Sequence, residues 1–148
     1  MTLSRIVAWS HQLAQEILLP GDLAVDLTAG KGRDTCLLAD AVGCAGRVVA
    51  FDIQSEALDQ ARQNLMKAGY TAVDAASDQR LPTRAGVYLV HACHTTLETV
   101  LQEPIKVAIA NLGYLPGGDQ QKITMTGTTL SALEQALRLL QQGGRLLV

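Results

Sequence analysis

Three polar clusters in this chain have the residue types of a ligand site. The first is Asp26-Leu27-Thr28-Ala29-Gly30-Lys31-Gly32-Arg33, an acid followed at once by a turn with two glycines. The second is Asp52-Ile53-Gln54, and the third comes in two pieces, His91-Ala92-Cys93-His94 and the run from Asn111 to Asp119. Carboxylates accept hydrogen bonds from sugar hydroxyls and pair with ammonium groups. Glycines let a ligand lie against backbone, and an imidazole can take a proton. Asn111 can orient an amino nucleophile through its side-chain oxygen, and Tyr114 can stack on a base. Gly113, Pro116, Gly117 and Gly118 would shape the loop around them.

The glycine turn admits several readings. A Walker A loop needs a glycine where Val25 stands and a Ser or Thr where Gly32 stands, so a phosphate-binding loop of that kind fails. A dinucleotide fingerprint needs a third glycine where Thr35 stands, which weakens a nicotinamide or flavin reading. S-adenosylmethionine carries an α-ammonium and a sulfonium but no pyrophosphate. Asp26 can help hold its amino-acid end, directly or through water, while Ala29, Gly30, Lys31, Gly32 and Arg33 form the turn against it. Asp52 can then accept from both hydroxyls of the adenosine ribose. The competing reading is a tight turn with no ligand and a solvated acid ahead of a helix. His94 either enters the pocket or merely starts the next helix. No metal is expected, because two histidines and a cysteine within four extended residues do not converge on one ion.

These residues need elements to hold them. Ile6, Trp9, Leu13 and Ile17 fall on one helical face over residues 5–18, and Pro20-Gly21 stops that helix. Leu23 to Leu27 and Arg47 to Phe51 read as buried strands. A helix is predicted from Asp34 to Val42, and another begins near Ser55, a candidate cap, and closes at Gly69. Strand signals follow at 72–75, 87–90, 107–111 and 145–148, with helical stretches near 95–102 and 129–141. In the last helix Leu130, Leu133, Leu137 and Leu140 repeat at helical spacing, and Gly143-Gly144 would end it. The alternation predicts an α/β fold, a Rossmann-like doubly wound sheet with helices on both faces and the ligand at the strands' carboxyl ends.

The chain has 148 residues, 48% of them hydrophobic, which suits one domain spanning 1–148. A net charge of −2 gives no basic surface that would by itself announce a nucleic-acid partner. Three cysteines, Cys36, Cys44 and Cys93, lack disulfide or zinc spacing and point to a reducing cytosol. Arg5, His11, Gln12, Gln15 and Glu16 interrupt the N-terminal stretch, so neither a signal peptide nor a membrane span is expected there. A cytoplasmic protein is the expectation. The sequence ends in a strand with nothing to close it, so the native protein is expected to continue past Val148.

Val25 to Thr35, Phe51-Asp52-Ile53-Gln54, Cys93-His94, Asn111 to Asp119, Thr124 and Thr128-Thr129 together resemble a family of small methyltransferases long labelled rRNA methylases. Some of them methylate the aminomethyl group on a wobble 2-thiouridine of tRNA. The resemblance implies a class I methyltransferase fold using S-adenosylmethionine, with cofactor contacts at Lys31, Arg33, Asp52, Gln54, Cys93 and His94. The family usually has Asn where Lys31 stands, and often Asn or His where Arg33 stands, so contacts at the cofactor's methionine end differ here. Members also continue past the sixth strand with a Tyr-x-Gly-His segment and a last strand that this sequence lacks.

The expected reaction is N-methylation of the aminomethyl group of a tRNA wobble 2-thiouridine, with Asn111, Tyr114 and His94 as the catalytic candidates. The expected partner is RNA, at the anticodon region of a tRNA, with no membrane; a homodimer is compatible with this. A small-molecule N- or O-methyltransferase and a non-catalytic adenosine-ligand module are the alternatives.

Overall fold

In the computed structural model, residues 3–112 and 126–148 are described, and side chains from residue 5 and from residue 127 onward in the two segments. Strands β1 (Leu23–Asp26), β2 (Arg47–Asp52), β3 (Ala72–Ala75), β4 (Gly86–His91), β5 (Ile105–Ile109) and β6 (Leu140–Leu147) form one sheet in the order β3-β4-β2-β1-β5-β6. All five pairings are parallel. The central strands are almost wholly buried apolar runs, as a sheet covered on both faces requires.

Helices α1 (Leu3–Gln15), α2 (Arg33–Val42) and α3 (Ser55–Lys67) cover one face. Ala14, Leu38, Val42, Leu58 and Leu65 pack there on Ala24, Val48, Ala50, Leu89 and Ile109. On the other face α4 (Leu97–Val100) and α5 (Thr126–Leu139) bring Leu97, Val100 and Ala136 onto Val25, Val49, Phe51, Val90 and Ala108. The sheet grows from β1 through β2 in one direction and through β5 in the other, so a switch point lies between the ends of β1 and β5. Asp26 is level with both Ala50 and Ile109, and Asp52 is level with His91. All the strand-end candidates therefore leave the sheet on one edge.

Several elements depart from the pattern read in the sequence. On α1, which ends at Gln15, Ile6 and Trp9 are exposed, while Val7, His11 and Ala14 face the protein, followed by Leu18 just beyond the helix. His11 belongs to the inward stripe because its ring has a polar partner there, and counting apolar residues alone rotates the helix. On α5, Leu130 and Leu137 are exposed while Ala132, Gln135 and Ala136 are buried, and Gln135 takes its inward place through bonds to Glu98 N and the Thr95 carbonyl. β5 ends at Ile109, leaving Asn111 just beyond it. Gly143-Gly144 lies inside β6 rather than after α5, in an outward bulge that shifts the register between Leu140 and Arg145. Ser55 is the first residue of α3 and not its cap; Gln54 occupies that position without a side-chain capping bond. β3 and β4 are joined by the loop 76–85 with no intervening helix.

Candidate functional site

At the tips of β1 and β2 the chain makes the same local turn twice. Asp26 Oδ1 accepts from Thr28 N at 3.0 Å, and Asp52 Oδ1 accepts from Gln54 N at 3.0 Å. Each acid thus folds the chain leaving its strand back onto its own carboxylate. Their second oxygens go to different places. Asp26 Oδ2 accepts the Thr35 hydroxyl at 2.6 Å, which fixes the first turn of α2 to the end of β1. Asp52 Oδ2 accepts from Gly30 N at 2.9 Å, which ties the glycine turn to the end of β2.

Burial separates the two acids further. Asp26 is 0% exposed, whereas Asp52 is half-buried at the sheet edge. Removal from water pushes the Asp26 carboxyl from its ordinary 3.8 up to about 7; repulsion from Asp34 and Asp52 adds to this, against the hydrogen bonds from Thr35 and Thr28. Asp52 keeps a free lone pair on each oxygen beyond its two backbone donors, enough to accept from a pair of vicinal hydroxyls.

The two glycines of the turn serve different needs. Gly30 has φ +51°, and a Cβ there would meet nothing closer than the Thr28 carbonyl at 3.8 Å. Gly32 has φ +76°, and a Cβ there would lie 2.8 Å from Ala61 Cα in α3. Gly30 therefore leaves open space at the strand ends, while Gly32 permits helix packing. Ala29 is buried and donates to the Phe51 carbonyl at 2.8 Å. Lys31 and Arg33 carry exposed side chains, and the Lys31 carbonyl accepts from Asn64 Nδ2 at 2.9 Å. Ile53 is exposed, and its carbonyl accepts from His91 Nε2 at 3.1 Å.

His94 comes to the same place from β4. It opens a short 3-10 turn, His94–Thr96, and is buried, with Nδ1 2.9 Å from the Leu27 carbonyl. A carbonyl can only accept, so Nδ1 carries a proton, and in the neutral ring Nε2 presents a lone pair. That Nε2 is buried and has no hydrogen-bond partner among the described residues. A buried unpaired acceptor is costly, and a catalytic role is one of the reasons a fold keeps one. Cys93, half-buried, precedes it and accepts from Thr96 through its carbonyl.

Asn111 closes the third side. Its backbone N–H donates to Thr28 Oγ1 at 2.8 Å, and Leu27 N donates to the Ile109 carbonyl at 2.8 Å, which locks the tips of β1 and β5 together. The Asn111 side chain is exposed at the switch point. Tyr114, Gly117, Gly118, Asp119 and Thr124 lie outside the described residues. Among the described residues no cluster of three His, Cys, Asp or Glu side chains is placed to hold a metal ion.

The family model described as "Putative rRNA methylase" matches residues 48–148. The chain belongs to this family. A tRNA (mnm(5)s(2)U34)-methyltransferase, chloroplastic, of Arabidopsis thaliana is 35% identical over 144 residues, covering 91% of this chain and 48% of that protein. The crystal structure of an rRNA methylase homologue from Clostridium thermocellum superposes with a TM-score of 0.82 at 34% identity, covering 99% of this chain and 72% of that one. A methyltransferase homologue from Streptococcus mutans in complex with SAH gives 0.79 at 34% identity, with 98% and 72% covered. The fold is that of the class I S-adenosylmethionine-dependent methyltransferases. The chain spans about half the length of the Arabidopsis relative.

For this rRNA-methylase family member, the structure gives parts to residues to which the sequence pattern assigned none. Thr35 stands where a dinucleotide fingerprint would carry glycine, and its hydroxyl instead binds Asp26. Thr28 joins β1 to β5 through Asn111. Asp34, buried beside Thr35, meets His11 of α1 at 2.5 Å. Polar residues on the inward faces of α1 and α2 are the signal that would have revealed them.

Proposed function

We propose that the protein transfers a methyl group from S-adenosylmethionine to an RNA nucleoside, at the aminomethyl nitrogen of a wobble 2-thiouridine in the anticodon region of a tRNA. The observation that carries this reading is the buried Nε2 of His94, which has no hydrogen-bond partner among the described residues and lies beside the glycine turn. The residues suit the cofactor: Gly30 leaves room at the strand ends, and Asp52 has lone pairs to spare for ribose hydroxyls. Lys31, Arg33, Ile53, Gln54 and Cys93 would complete its surroundings, with Asp26 and Ala29 acting through the shape of the turn. Bound there, S-adenosylmethionine supplies an electrophilic methyl group.

The chain's own residues would do the rest. An alkylamine titrates near 10 and is protonated at neutral pH, so a base must free its lone pair before attack. His94 Nε2 takes that proton, and the Leu27 carbonyl steadies the imidazolium through Nδ1. Asn111 orients the amine through its side-chain oxygen, and Tyr114 stacks on the base.

The test is transfer of tritiated methyl from S-adenosylmethionine into bulk tRNA, compared with a metabolite extract, using the full-length protein. Label in tRNA supports the reading; label only in metabolites, or none, overturns it. His94→Gln should lower turnover about 100-fold at pH 7 and recover as pH approaches about 10, where the amine loses its own proton. Equal loss at every pH would remove His94 as the base.

A further inference from the structure

The glycine turn is held from a second side by a contact that the proposed reaction does not use. Asp34 is the second residue of α2, buried at 5% exposure, and its Oδ1 accepts from His11 Nε2 at 2.5 Å. Its neighbour Thr35 donates to Asp26. The first turn of α2 is therefore clamped between α1, through Asp34, and the tip of β1, through Thr35. Gly32 enters the same turn, since its carbonyl accepts from Cys36 N at 2.9 Å in the opening bond of the helix. Whatever moves this turn moves Gly30 to Arg33 with it.

We propose that His11 is a positioning residue for the cofactor: by holding Asp34 it fixes the first turn of α2, and through that turn the glycine loop. This rests on the reading of the strand ends as an S-adenosylmethionine site. Three carboxylates, Asp26, Asp34 and Asp52, meet at this corner: Thr35, next to Asp34 in α2, bonds Asp26, and Gly30, four residues before Asp34, bonds Asp52. Of the three, Asp34 is the one held by an imidazole, and that ring comes from another helix. Without His11 a buried carboxylate loses its donor, and such a group either loses its charge or drags its backbone toward water. Water is near: an open cavity of about 440 Å³ between α1 and α2 is lined by His11, Arg33, Cys36 and Asp40 among others. The predicted response is thus a shift of the turn toward that cavity, with the fold retained.

The experiment is calorimetric titration of the full-length protein with S-adenosylhomocysteine, run on wild type, His11→Ala, His11→Gln and the double variant His11→Ala/Asp34→Asn. Melting temperatures are recorded alongside. His11→Ala should weaken binding about tenfold or more. His11→Gln, whose amide can still donate to Asp34, should recover most of the affinity. The double variant, with no charge left to satisfy, should bind better than His11→Ala alone. In methyl transfer the KM for S-adenosylmethionine should rise in His11→Ala while kcat at saturation stays within about twofold. Wild-type binding with unchanged affinity in His11→Ala, even if that variant melts lower, would overturn the positioning role. So would a fall in kcat at unchanged affinity. Failure of the wild type itself to bind would instead overturn the cofactor reading, and the inference with it.

Discussion

The tips of β1 and β2 begin alike and end differently. Both carry an aspartate that folds the following residues back in the same turn; the second oxygen of Asp26 then holds Thr35 in α2, and that of Asp52 holds Gly30 in the glycine loop. Asp26 is sealed from water and gives one oxygen to Thr28 of its own turn and the other to Thr35 of α2, with its carboxyl pushed up to about 7. Asp52 stands at the sheet edge with acceptor capacity left over. One acid type in one local motif thus serves two purposes, and burial decides which. Asp26 builds the site, and Asp52 is left able to bind something in it.

The contrast can be broken first at Asp26. Asp26→Ala strands the buried Thr35 hydroxyl and leaves the half-buried Thr28 amide without its acceptor, and should cost about 2–4 kcal/mol in denaturant unfolding. Asp52→Ala should cost less than about 1 kcal/mol, because water can replace it. Equal destabilisation by the two would erase the distinction.

The glycines repeat the contrast at smaller scale. Gly32→Ala forces a methyl group into Ala61 as well as a left-handed φ, so a loss of about 2–3 kcal/mol is expected. Gly30→Ala pays only for its φ, about 1–2 kcal/mol, but narrows the open space, so it should weaken S-adenosylhomocysteine binding more than its stability loss suggests. Thermal melts and calorimetry on both variants decide the matter.

A gentler probe is pH. The folded-state value for Asp26, about 7, lies above its ordinary 3.8, so the folded protein holds this proton more tightly than the unfolded chain. Its contribution to stability is complete below about pH 4 and is lost as pH rises toward 7. Wild type should therefore lose stability relative to Asp26→Asn across that window, and parallel curves would show that the burial has no such consequence.

Much of this was legible in the sequence, for physical reasons. The central strands are buried on both faces, so they appear as apolar runs ending in Asp26, Asp52 and His91. Glycine, with its special backbone freedom, marked the turn. What escaped was polar structure inside apolar patterns. His11 and Thr35 sit on inward faces because each has a partner far away in sequence, at separations of 23 and 9 residues. Periodicity sees the residue but not the partner. The leucines of α5 misled in the opposite sense, because the helix packs through Ala132 and Ala136 and leaves Leu130 and Leu137 outside. The division of labour between Gly30 and Gly32 likewise needed the position of Ala61.

The most direct measurement is a calorimetric titration of S-adenosylhomocysteine into wild type and Asp52→Asn, with melting temperatures recorded for both. The account predicts that the variant binds about 30-fold more weakly while melting within a few degrees of wild type, since it loses acceptors for the ribose and little of the fold. Binding as tight as wild type's would contradict it, and the tip of β2 would then be, like that of β1, only part of the scaffold.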